Sequence, residues 1–117
     1  MTDITTLSDR ELLELAAKFC GYDVNLLNEN PDYWYRFDTD EKMLWNPLTD
    51  DGDALRLAVR LNLVIEPPRD NGFAHVYHYH RSLEVAERRS AITHEAELTA
   101  TRRAIVRAAA EIGRKMP

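Results

Sequence analysis

Cysteine is almost absent from this sequence: Cys20 is the only one among 117 residues, so no disulfide can form within the chain. Cys20 falls on the apolar side of an expected helix, which favours a buried, inert thiol. Glycine and proline are sparse, at four and five residues. There is no linker, repeat or low-complexity segment, and the composition excludes disorder. No apolar run approaches the ~20 residues that span a bilayer. Met1-Thr2-Asp3 has none of the layout of a signal peptide, so the expected location is the cytoplasm. Also missing are Gly-x-Ser-x-Gly, a Gly-rich phosphate loop and His-Glu-x-x-His. The chain is therefore expected not to be an enzyme and to need no cofactor.

What is present is ordinary for one globular domain: 44% apolar and 30% charged residues, in a length that suits a single domain over 1–117. Charge is divided unevenly. Residues 1–54 carry 13 acids and four bases, residues 55–117 carry 11 bases and seven acids, and the halves of −9 and +4 give the net −5. Twelve of the 15 bases are arginine, the forked donor that suits phosphates and carboxylates. The halves can neutralise each other within the domain or between subunits, or the second half can hold an anion site. A nucleic-acid surface is not expected, because such domains are basic overall.

Ser8-Asp9-Arg10-Glu11 is a capping box, and Leu12, Leu15, Ala16 and Phe19 follow at helical spacing, which predicts a helix over about 9–20. Short extended pieces follow around Tyr22–Leu27, Tyr33–Phe37 and Met43–Trp45, separated by turn clusters at Asn28–Asp32 and Asp38–Glu41. Thr49 or Asp50 caps a second helix, whose Ala54, Leu55, Leu57, Ala58, Val59 and Leu61 are apolar enough to demand burial against a sheet. Strands are predicted at Leu63–Glu66, Phe73–His80 and Leu83–Ile92, with turns at Pro67-Pro68, Asp70–Gly72 and Arg81-Ser82. A last helix is predicted from about Thr99 to Lys115, with Arg103, Arg107 and Arg114 on its wet side. The economical arrangement is an α+β fold, one antiparallel sheet sandwiched between helices.

Four clusters bear on chemistry. His75, His78, His80 and His94 invite a metal reading, but no second pair stands at ligand spacing, so no metal is expected and a solvent-facing strand edge is preferred. Asp50, Asp51 and Asp53 lack the alternating ligands of a calcium loop and suit helix capping. Tyr77 and Tyr79 offer a stacking surface or simple sheet packing. Thr99, Thr101, Arg102 and Arg103, at the expected start of the last helix, combine free N–H groups, hydroxyls and guanidinium forks, which suits a phosphate. The competing reading pairs these arginines with Glu95, Glu97 or a neighbouring subunit.

Trp45 to Leu61 (WNPLTDDGDALRLAVRL) resembles the central helix of the bacteriophage ABA-sandwich domain family, Ala100 to Ala109 (ATRRAIVRAA) resembles its closing helix, and Leu7 to Glu14 (LSDRELLE) fits the same layout. The resemblance implies a sheet between helices and a phage or prophage origin, with action in the host cytoplasm. The family is similar to the phage Thoeris anti-defence sponges, oligomers that sequester cyclic nucleotide immune signals without cleaving them. It therefore implies a homo-oligomeric counter-defence protein with phosphate contacts at Thr99, Thr101, Arg102 and Arg103. On that reading the Arg102→Ala, Arg103→Ala double variant loses its ligand and keeps its fold. The alternative is an anti-CRISPR-like inhibitor that binds a host defence protein through Asp38, Asp40, Glu41, Asp50, Asp51 and Asp53. A virion or replication accessory role is the third possibility.

Overall fold

A computed structural model describes residues 6–20, 23–26, 34–37 and 42–116, with the side chains of 19, 23–26, 34–37 and 42–44 outside the description. The chain runs α1 (Asp9–Cys20), β1 (Asp23–Leu26), β2 (Trp34–Phe37), β3 (Lys42–Leu44), α2 (Asp51–Arg60), β4 (Val64–Glu66), β5 (Phe73–Tyr77), β6 (Glu84–Arg88) and α3 (His94–Arg114). This is the α+β class, with antiparallel sheets and helices packed on them. The strands form two three-stranded sheets, β1-β2-β3 and β4-β5-β6, where the sequence reading placed one. The turn clusters at 28–32 and 38–41 lie outside the described residues.

The capping box forms as predicted. Glu11 N–H donates to the Ser8 hydroxyl at 3.2 Å, and Ser8 N–H donates to the Glu11 carboxylate at 3.1 Å. The Ser8 backbone N–H, and then its hydroxyl, hold the Glu11 carboxyl below its ordinary pKa. A depressed carboxylate adds stability that is present above its unfolded-state pKa and lost as pH falls through the folded value. Ser8→Ala removes the hydroxyl donor and keeps the amide. A carboxyl NMR titration should then show the Glu11 pKa rising part of the way to normal. An unmoved pKa would rule out the hydroxyl's contribution.

α2 is capped at both ends by short-range chemistry. The Asp50 carboxylate accepts from Asp53 N–H at 2.8 Å. Asn62 takes the left-handed conformation, φ 56°, and Leu63 N–H reaches Ala58 O while Asn62 N–H reaches Val59 O, a Schellman ending. Gly72, at φ 78°, closes the turn before β5, with its N–H on Arg69 O. α3 starts five residues before the expected position. Thr93 is its N-cap, accepting from Ala96 N–H at 3.1 Å, with no acidic partner at the third helical position to advertise the cap.

α3 is the centre of the molecule, packing against α1, α2, β5 and β6. Four packed neighbours need a slim helix, and Ala100, Ala104, Ala108, Ala109, Ala110 and Gly113 supply one; all are buried. These small residues are used within the chain and are not left for contact between subunits. α1 adds Leu12, Leu13, Ala16, Ala17 and Cys20 to the core, and Cys20 is buried. α2 packs mainly on α3, through Ala54, Leu57, Ala58 and Leu61. The expectation that a sheet would cover its whole apolar surface is corrected: Leu55 and Val59 stay 59% and 67% exposed. A helix neighbour shields a narrower arc than a sheet does.

Candidate functional site

Thr99, Thr101, Arg102 and Arg103 fall inside α3, beyond its first turn. Glu97 N–H already bonds Thr93 O, so the amides at 99–103 belong to the helical ladder and are not free for an anion. The Thr101 hydroxyl donates to Glu97 O at 2.8 Å. Arg102 is buried at 9% exposure, and each of its three nitrogens is committed. Nε donates to Leu48 O at 2.9 Å and Nη1 to Asp51 Oδ1 at 2.6 Å. Nη2 reaches the Thr99 hydroxyl at 3.2 Å and Glu95 at 3.4 Å.

The receiving end of this clamp is built locally. Asn46 Oδ1 accepts from Leu48 N–H at 3.0 Å around a buried Pro47, and buried Asp53 accepts from Asn46 N–H at 2.9 Å and from Arg56 at 2.8 Å. That turn presents Leu48 O to α3. Arg103 pairs with Asp9 at 2.9 Å and lies 3.6 Å from Glu87. Arg107 also pairs with Glu87, which places both arginines on the sheet side of α3 and corrects their expected place on the wet side. The predicted phosphate ligands are thus ties between α3 and its neighbours. Of the predicted acidic surface, Asp53 is buried, Asp51 holds Arg102 and Asp50 caps α2, while Asp38, Asp40 and Glu41 lie outside the described residues.

β5 ends at Tyr77, three residues short of the expected strand, and His78 and His80 belong to the hairpin turn. His78 Nδ1 accepts from His80 N–H at 3.0 Å, which leaves Nε2 as the protonated nitrogen of the neutral ring. Among the described residues no three His, Cys, Asp or Glu side chains gather as a metal site requires.

Among the described residues a concavity lies at this hairpin. His78 N–H bonds Leu83 O at 3.3 Å, and Leu83 N–H bonds Arg81 O at 2.8 Å, a three-residue turn centred on Ser82. Around it opens a cleft of about 540 Å³ lined by Tyr77, His78, Arg81, Ser82, Leu83 and Glu84. A second hollow of about 240 Å³ shares Arg81, Ser82 and Leu83 and reaches Glu111, Ile112 and Lys115 at the end of α3. Tyr79 is 75% exposed and meets Tyr77 edge to face at 5.9 Å. Partial burial, and then the charge of Glu66, hold the Tyr77 hydroxyl above its ordinary pKa. Arg81 is exposed and has no side-chain partner among the described residues.

Tyr77 and Tyr79 are legible in the sequence as a stacking surface, whereas no motif there marks Arg81, Ser82 or Lys115 as site residues. An arginine at a turn between two predicted strands was the available signal, since it has no helix or strand neighbour to neutralise it. No helix among the described residues is long and apolar enough to cross a membrane. No protein-family model, curated protein or solved structure matches the chain.

Proposed function

We propose that the protein is a non-catalytic binding module that retains a small phosphorylated ligand of the nucleotide class at the β5–β6 hairpin. The observation that carries this reading is Arg81: an unpaired guanidinium, among the described residues, beside the Ser82 hydroxyl, the His78 imidazole and the Tyr77 ring in one cleft. A guanidinium and a hydroxyl suit a phosphate. The exposed ring of Tyr79, edge to face with Tyr77, suits a base. Lys115 in the adjoining hollow adds a second cation, held 3.7 Å from Glu111. The resemblance to phage ABA-sandwich proteins narrows the ligand to a cyclic nucleotide signal and the role to phage counter-defence by sequestration in the host cytoplasm.

The ligand site in this proposal is the hairpin, and Arg102 is a structural clamp. Adding a panel of cyclic dinucleotides and trinucleotides should raise the melting temperature for at least one of them, because a ligand that binds only the folded state stabilises it. Arg81→Ala should weaken that ligand by about tenfold or more, the worth of a lost charged hydrogen bond. An unshifted melt with every compound would sink the proposal and leave the protein-binding alternative as the better reading. Equal affinity in the Arg81 variant would move the site elsewhere.

A further inference from the structure

The sheet β4-β5-β6 has two unlike faces. Its pleat sends Ile65, Ala74, Val76, Val85 and Glu87 towards α3, the helix that packs on it. The opposite face carries Phe73, His75 and Tyr77 on the central strand and Glu84, Ala86 and Arg88 on β6. On β6 those three residues are all exposed.

The charges on this open face are arranged about a centre. Register sets Phe73 across from Arg88, His75 across from Ala86 and Tyr77 across from Glu84. Glu84 and Arg88 therefore stand two residues either side of Ala86 with opposite sign. Tyr77 and Phe73 flank His75 in the same way. Arg88 has no side-chain partner among the described residues. Glu84 faces His75 at 3.6 Å with its side chain 69% exposed.

We propose that a second copy of this chain docks on this face, about a twofold axis that lies in the interface and crosses the strands along the His75–Ala86 row. That axis sets Glu84 against Arg88 of the second copy and Tyr77 against its Phe73, each contact occurring twice, as a self-complementary patch requires. Alanine at the centre lets the two sheets approach. The other in-plane axis, along the strands, is disfavoured because it lays Glu84 over Val64, which shares the Tyr77 row. Glu66 shares the His75 row and meets its own copy, which limits affinity. The face is also small, about 17 by 14 Å from strand rise and spacing. An interface of that size is weak, with a Kd on the order of tens of micromolar.

Sedimentation equilibrium of the full chain, across concentrations bracketing that Kd, tests the proposal. Wild type should show a reversible monomer–dimer equilibrium. Arg88→Glu alone and Glu84→Arg alone should each raise Kd about tenfold or more, because like charges then meet twice. The double exchange should return Kd to within about threefold of wild type, since the pairs are re-formed with the charges reversed. Circular dichroism melts matching wild type establish that the variants fold, and an Arg88→Gln variant with an intermediate Kd serves if either reversal does not. A monomer at every concentration, an oligomer indifferent to the single exchanges, or a double exchange no tighter than the singles would each overturn it.

Discussion

Replacing Gly113 with alanine should lower stability by about 3 kcal/mol or more, the upper range for forcing an atom into a packed core. A Cβ at this position would sit 1.9 Å from the Leu15 carbonyl oxygen and 2.8 Å from its carbon, both backbone atoms of α1. No rotamer change relieves a backbone clash, so α1 and α3 must separate. Separation loosens Leu12, Leu13, Ala16 and Ala17, all buried where the helices meet the core. The Lys18 ammonium, which donates to Met116 O at 3.0 Å, holds the same crossing closed and resists the shift. Thermal melting should show a drop of about 10 °C or more. A variant melting within about 2 °C of wild type would mean that the helices do not cross this closely.

Arg102→Ala should cost about 2–4 kcal/mol in a urea titration, whatever it does to a ligand. It leaves Leu48 O without its donor and empties a buried volume at the junction of α2 and α3. The loss is bounded because the carboxylates left behind are not trapped: Asp51 and Glu95 are 64% and 77% exposed and rehydrate. Arg102→Lys should recover only part, because one ammonium cannot serve Leu48 O and Asp51 with the geometry of a fork. Arg103→Ala should cost at most about 1 kcal/mol, since its partner Asp9 is solvated. The double variant that the phosphate reading expects to be folded and ligand-free is here expected to be destabilised. An Arg102 variant with wild-type stability that has lost its nucleotide would reverse that assignment.

The elements legible in the sequence are those whose signals are local. Ser8 and Glu11 specify the start of α1 by reciprocal bonds three residues apart. Asp50 specifies the start of α2, and the strand at Val64–Glu66 follows a run of apolar residues. The start of α3 is not legible in the sequence because Thr93 caps it through its hydroxyl alone, while Thr99 and Thr101 further along offer the same cap chemistry. Leu55 and Val59 looked buried because apolarity reports what a residue can do, and not whether a neighbour is wide enough to cover it.

By itself the sequence determined the α+β class, the three helices, the capping of α1 and α2, and the segregation of charge. Each rests on spacing within a few residues or on composition. Only the tertiary structure decided that Arg102 is a clamp, that Gly113 admits another backbone, and that Arg81 stays unpaired among the described residues at a cleft. An arginine's role depends on whether carboxylates and carbonyls from elsewhere in the chain arrive within hydrogen-bond distance. For Arg102 those groups are Leu48 and Asp51, 54 and 51 residues away, brought in by the packing of α2 on α3. For Arg81 no such group arrives from the described chain, because a hairpin tip turns away from the core that supplies partners to the rest.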